Sequence, residues 1–200
     1  MATTATPYGL RAVNLIGGLP YAGSTRMVKI GSAYATSIFY GDIVSINSSG
    51  NLVKVTATGT DGTTNALPAG VVGVFMGATY TDPNLNYKVF KQYWPASTVA
   101  TDALGYVCDD PNVVFAIQAS GTLAQTVLGN NVALVQTAGS TITGDSKVAA
   151  LYTSVATSTF LPLRIVGFVD STTSSVGDAY TDILVKFNQG IHSYTSATGI

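Results

Sequence analysis

Asp182-Ile183-Leu184-Val185-Lys186-Phe187 alternates cleanly, with Ile183, Val185 and Phe187 on one face of an extended chain and Asp182, Leu184 and Lys186 on the other. A period of two with one apolar face is the pattern of a strand laid against a core. Similar segments recur outward from it. Arg26–Ile30, Thr36–Tyr40 and Ile43–Ile46 are short β-branched or aromatic runs separated by Gly31-Ser32 and Gly41-Asp42. Asn47-Ser48-Ser49-Gly50-Asn51 is turn chemistry and joins Ile43–Ile46 to Leu52–Thr56 as a hairpin. Val71–Phe75 follows a long polar loop from Thr58 to Ala69, and Tyr87–Tyr93, Val113–Gln118, Val132–Gln136 and Leu161–Val169 read as further strands. Helix is a minor component. Asp145-Ser146 could cap two turns over Lys147–Tyr152, and Gly121–Leu128 is ambiguous. Absent Glu and abundant Thr, Val and Gly push the same way.

The expected fold is therefore all-β, a barrel or sandwich of short antiparallel strands with long loops and little helix. Val72-Gly73-Val74-Phe75 is echoed weakly by Val166-Gly167-Phe168-Val169. A glycine centred in an apolar strand marks a bend or a close backbone approach. The expected organisation is an extended N-terminal docking arm over residues 1–25 and a single β domain over 26–190. An elaboration at about 78–160 would lie between the domain's early and late strands, and 191–200 would be a polar tail.

Charge separates the chain from most soluble domains. Of its 200 residues only 10% are charged, against roughly 25% ordinarily. Nine bases and ten acids, all Asp, give a net charge of −1, and the mean hydropathy is +0.35. Charge keeps small domains apart in solution, so a surface this poor in it suits a protein that works assembled. No apolar run reaches the roughly 18–20 residues of a membrane-spanning helix. The opening Met1-Ala2-Thr3-Thr4-Ala5-Thr6-Pro7 has no basic and apolar leader pattern, so manufacture in a cytoplasm is expected. The lone Cys108 offers no internal disulfide.

Catalytic patterns are not evident. His192 is the only histidine, it lies near the polar tail, and no Gly-x-Ser-x-Gly elbow accompanies it. A surface histidine is the expectation there, and a small buried hydrophobe is the expectation for Cys108. Asp109-Asp110-Pro111-Asn112 and Asp82-Pro83-Asn84 offer clustered oxygens, but they read as turns. No metal and no cofactor is expected. The densest aromatic patch, Tyr87, Phe90, Tyr93 and Trp94, suits an interface or core, or else a ligand platform.

Residues 1–41 carry Arg11, Arg26 and Lys29 and no acid. That is too few cations for a nucleic-acid arm, which works by releasing many counterions. Pro7, Gly9, Gly17-Gly18, Pro20 and Gly23 oppose helix, while Tyr8, Leu10, Val13, Leu15, Ile16 and Tyr21 are spaced apolar anchors beside Arg11. An extended segment of that kind is a docking strand.

These residues resemble those of a known group. Met1–Val13 with Gly17-Gly18 and Tyr21-Ala22-Gly23 is similar to the opening of structural proteins of tailed bacteriophages. Tyr40-Gly41-Asp42-Ile43-Val44, the turn at Ser49-Gly50 and Pro68-Ala69-Gly70-Val71-Val72-Gly73-Val74 resemble capsid decoration, or cement, proteins. Asp109–Phe115 and Leu161–Gly167 fit the same group. The resemblance implies a non-enzymatic virion protein on the outer face of an icosahedral head. It would lock neighbouring major capsid subunits together without covalent bonds. Its partners would be the major capsid protein and its own copies, as a trimer in preference to a dimer, with no nucleic acid and no membrane. The alternative is a head or tail fibre domain that binds a host surface glycan through the Tyr93–Trp94 patch, and a depolymerase ranks third.

Overall fold

Strand follows strand along the chain in the computed structural model, which describes residues 4–59 and 67–197. Among the described residues the first strands are β1 (Arg11–Leu15), β2 (Arg26–Lys29), β3 (Ile43–Ile46), β4 (Leu52–Lys54) and β5 (Val71–Thr81). Next come β6 (Lys88–Lys91), β7 (Leu104–Cys108), β8 (Val113–Gln118), β9 (Asn131–Val132) and β10 (Leu134–Val135). The series ends with β11 (Ala149–Ala150), β12 (Leu163–Phe168) and β13 (Asp182–Phe187). The fold is all-β.

β13 behaves as its alternation requires: Ile183, Val185 and Phe187 are buried and their neighbours are half-exposed. It lies between β8 and β12 in a five-stranded sheet of order β1-β8-β13-β12-β9. The other large sheet has the order β2-β7-β5-β3-β4, and β6 joins the far half of β5. Every pairing in both sheets is antiparallel. The two sheets share one core and form a sandwich-like pair. Ile43, Val71, Val74 and Cys108 of the one pack with Phe115, Ile117, Ile165, Ile183 and Val185 of the other.

The six-stranded sheet also buries its outer face. Val44, Val72, Phe75, Tyr80 and Val107 pack there with Ile30, Ile38 and Trp94 from the long connections. This explains why β5 reads as an almost unbroken apolar run, since both of its faces are covered. Two register shifts break its pairing, one opposite Val44/Ser45 and one between Phe75 and Gly77. Gly73 and Gly77 take φ of +146° and +138°, and a Cβ on Gly73 would fall on the carbonyl oxygen of Cys108. Such bulges bend and twist a strand locally.

Several expectations need correction. The first strand is not Arg26–Ile30. β1 pairs with β8 inside the chain's own sheet, and Leu10 beside it is fully buried, so the described part of the expected docking arm, residues 4–25, contributes a strand to the domain. The stretch 78–160 is not an insertion, because β6 and β7 extend the six-stranded sheet and β8 is internal to the other. Lys147–Tyr152 is no helix. Val148, Ala149 and Ala150 are all buried, which a surface helix with one apolar face does not allow, and β11 pairs instead with β10. Thr36–Tyr40 contributes only isolated bridges, Ile38 to Trp94 and Tyr40 to Asp145. The hairpin of β3 and β4 stands as read, with Asn47 Oδ1 accepting from the Ser49 and Asn51 amides at 3.1 and 3.0 Å. Most of the long loop expected from Thr58 to Ala69 lies outside the described residues, as does the end of the polar tail.

Candidate functional site

The N-terminal segment is anchored at its base. The Thr6 amide donates to Gln118 Oε1 at 2.8 Å, Gly9 N to Val148 O at 3.2 Å and Leu10 N to Gly41 O at 3.0 Å. Tyr8 is half-buried, and its hydroxyl donates to Asp182 Oδ1 at 3.2 Å. Burial and the adjacent carboxylate raise that phenol's pKa, and burial also raises that of Asp182. Arg11 lies over the Tyr8 ring at 5.1 Å and reaches Asp145 Oδ1 at 3.3 Å.

Beyond β1 the chain turns back on itself. Leu15 N donates to Leu19 O at 2.7 Å, Gly18 N to Leu15 O at 2.8 Å and Tyr21 N to Val13 O at 3.3 Å. Ile16 N is held by Asn112 O at 2.9 Å, so this turn is tied to the body. The apolar residues of the segment then divide. Leu10 is core, and Leu15 and Tyr21 pack half-buried against it. Val13, Ile16 and Leu19 are 47%, 53% and 66% exposed. Sequence reasoning missed Leu19, although its setting in Gly17-Gly18-Leu19-Pro20, an apolar residue among turn formers, was the available signal. Met27 on the edge strand β2 is exposed as well.

The aromatic patch is not one surface. Trp94 is fully buried, edge-on to Tyr80 with centroids 5.1 Å apart, and its Nε1 donates to Tyr34 O at 3.5 Å. It cannot stack a ligand. Tyr93 is half-buried and stacks on Phe39 at 5.4 Å. Tyr87 and Phe90 are exposed. Phe90, Tyr40, Met76 and Tyr106 line an open groove of about 550 Å³, together with Arg11, Gln92 and Asp145. Asp145 Oδ1 accepts from Gln92 Nε2 at 2.8 Å as well as from Arg11.

The titratable groups singled out from the sequence are structurally engaged. His192 is buried rather than on the surface, because the chain returns past the start of β5 and bridges Val71. Its Nδ1 accepts from Tyr194 N at 3.2 Å, and its ring meets Phe187 and Tyr194 edge-on at 5.7 and 5.0 Å. Burial lowers its pKa. Ile191, where the polar tail was expected to begin, is buried too. Burial raises the pKa of the Cys108 thiol, which keeps it a poor nucleophile. Asp110 and Asp82 accept from amides two residues on, at 2.8 and 2.9 Å, as turn residues do. Asp109 Oδ2 receives Arg26 Nε at 2.8 Å and the Tyr194 hydroxyl at 3.0 Å. Among the described residues no group of three His, Cys, Asp or Glu side chains is arranged to hold a metal.

One cluster was not foreseen. Asp42 and Ser146 are fully buried; Asp42 Oδ2 pairs with Lys54 Nζ at 2.8 Å and accepts from Phe39 N at 2.8 Å, and its Oδ1 accepts from Ser146 Oγ at 2.6 Å. Every oxygen there has a partner within the fold, so its work is holding the β3 region to the 140s loop. Compared with known proteins, the chain matches no family model, no curated sequence and no solved structure at a significant level.

Proposed function

We propose that this protein is a virion structural protein that binds the outer surface of an icosahedral phage head and stabilises it by bridging neighbouring major capsid subunits. The observation that carries the reading is the N-terminal turn. Val13, Ile16 and Leu19 stand exposed on a segment whose base is bonded into the sandwich. A rigidly mounted apolar tip costs little entropy to dock. The rest of the surface, with few charges to keep copies apart, supports assembly as the working state. Binding the expanded shell and not its precursor stabilises it by mass action. Its own copies are the second partner, as a trimer, because local three-fold positions are the natural gaps in such a lattice. The reading calls for no catalysis.

A fibre domain that binds a host glycan is the second reading. It is favoured by the exposed Phe90 groove with its oriented Asp145, Gln92 and Arg11, no longer by Trp94. Densitometry of purified virions separates the two. A decoration protein is expected in hundreds of copies per particle, and tens or fewer would favour the fibre.

A further inference from the structure

On the outer face of the five-stranded sheet, Arg164 and Lys186 stand directly opposite each other on β12 and β13. Like charges so placed repel across an antiparallel pair. Arg11, Arg26, Lys54 and Lys91 each have an Asp partner; among the described residues Lys29, Lys88, Lys147, Arg164 and Lys186 have none, and of these only Arg164 and Lys186 face each other across a strand pair. Both line a hollow of about 400 Å³ that contains no acidic side chain. Arg164 is also held in position. Its Nε donates to Oδ1 of the buried Asn131 at 2.9 Å, and Asn131 Nδ2 is fixed on Ser158 O at 2.8 Å. Pro111, Val166 and Phe187 add apolar lining, Asn188, Gln189 and Thr195 add uncharged polar groups, and the buried His192, whose Nε2 has no hydrogen-bond partner, completes it.

We propose that this hollow binds the carboxylate of a small acidic ligand, an acidic sugar being the class its lining suits. A planar carboxylate matches the guanidinium fork and cancels the Arg164–Lys186 repulsion. A ring of hydroxyls and C–H faces matches Gln189, Thr195, Pro111 and Val166. The volume is that of an ordinary small-ligand cleft. The site is separate from the N-terminal turn and independent of the head-binding reading.

Titration of isotope-labelled full-length protein at constant ionic strength tests it, with glucuronate, glucose, acetate and inorganic phosphate as probes. Glucuronate is expected to shift the amides of residues 164–166 and 186–189 saturably at millimolar concentration, and glucose is expected to shift none. Arg164→Gln, whose spectrum shows whether the fold is kept, should weaken glucuronate at least tenfold, and Lys186→Gln should weaken it without disturbing the Asn131 contact. Acetate binding as tightly as glucuronate would overturn the sugar class. Phosphate binding more tightly than either would overturn the carboxylate assignment. Shifts that never saturate, or that survive both substitutions, would overturn the site.

Discussion

His192 has Gln189-Gly190 shortly before it and Ser193 after it, a context that reads as surface. Its burial comes from a contact with β5 far away in sequence, which no local pattern carries. Trp94, from a patch expected in an interface or core, lies in the core, and Cys108 at the end of an apolar run was legible as a core residue. Burial has a pH consequence. The folded-state pKa of His192 lies below the ordinary value of about 6.5, so above that value the group is silent. Below it the unfolded chain takes up a proton that the folded chain resists, and stability falls until the folded pKa is reached. Asp182 acts in the opposite sense at lower pH: its raised pKa makes protonation favour the folded chain as pH falls through that value toward 3.8. The melting temperature should therefore drop between about pH 7 and pH 5. His192→Asn, which keeps an acceptor for Tyr194 N, should flatten that drop. An unchanged slope would show that the ring titrates normally. Asp42 gives a second prediction at this scale. Asp42→Ala leaves Lys54, whose side chain is 9% exposed, without its partner and should cost about 3–5 kcal/mol in urea unfolding. Adding Lys54→Met should recover part of the loss. Equal stability of the single variant and the parent would mean the pair contributes nothing.

Among the elements, the sequence showed most clearly those with a clean alternation or a short apolar run bounded by turns. β13, with one wet face, and the nearly fully buried β3 and β8 lie where those patterns put them. β1 was hidden because its two exposed residues, Arg11 and Val13, and the flanking glycines and prolines look like a linker. Only its pairing with β8 makes it a strand. Gly73 was read as a bend inside its strand, as it is, but the strand was ended at Phe75, whereas β5 runs on through a second bulge at Gly77 to Thr81. The echo between Gly73 and Gly167 has a physical basis, since the pairing shifts register at both. Of the two, Gly73 is the constrained one. Gly73→Ala must move either β5 or the Cys108 backbone, and should cost more than about 3 kcal/mol or prevent folding. Gly129→Ala makes the control: it has φ of +87° but open space around it, so about 1–2 kcal/mol of backbone strain is expected. Urea unfolding of the two variants with equal losses would mean that the close approach at Cys108 relaxes freely.

At the scale of the whole molecule, the N-terminal segment is both part of the fold and the best-mounted apolar surface. Deleting residues 1–25 removes β1 and the buried Leu10 together, exposing the edge of β8 and opening the core. Truncation should therefore give aggregated or unfolded protein and says nothing about docking. Substitution at the tip separates the two roles. Val13, Ile16 and Leu19 are roughly half-exposed, so Val13→Asp, Ile16→Asp and Leu19→Asp combined should leave the melting temperature within a few degrees of the parent. Docking would bury the remaining half of each side chain. At up to about 1.5–3 kcal/mol for a full burial, half for three residues gives roughly 2–4.5 kcal/mol. That is about one and a half to three decades of affinity for the three together, before the desolvation of three new carboxylates is added. Salt should hardly change the parent's binding, because Arg11 is the only charge in the segment and it already has Asp145 as partner. The measurement is co-sedimentation of folded triple variant with undecorated expanded heads, at concentrations where the parent just saturates them. Loss of binding with an unchanged melt places docking at the turn. A folded triple variant that still saturates heads at the parent's concentration removes the tip from the interface and moves the search to the exposed Met27 edge of β2.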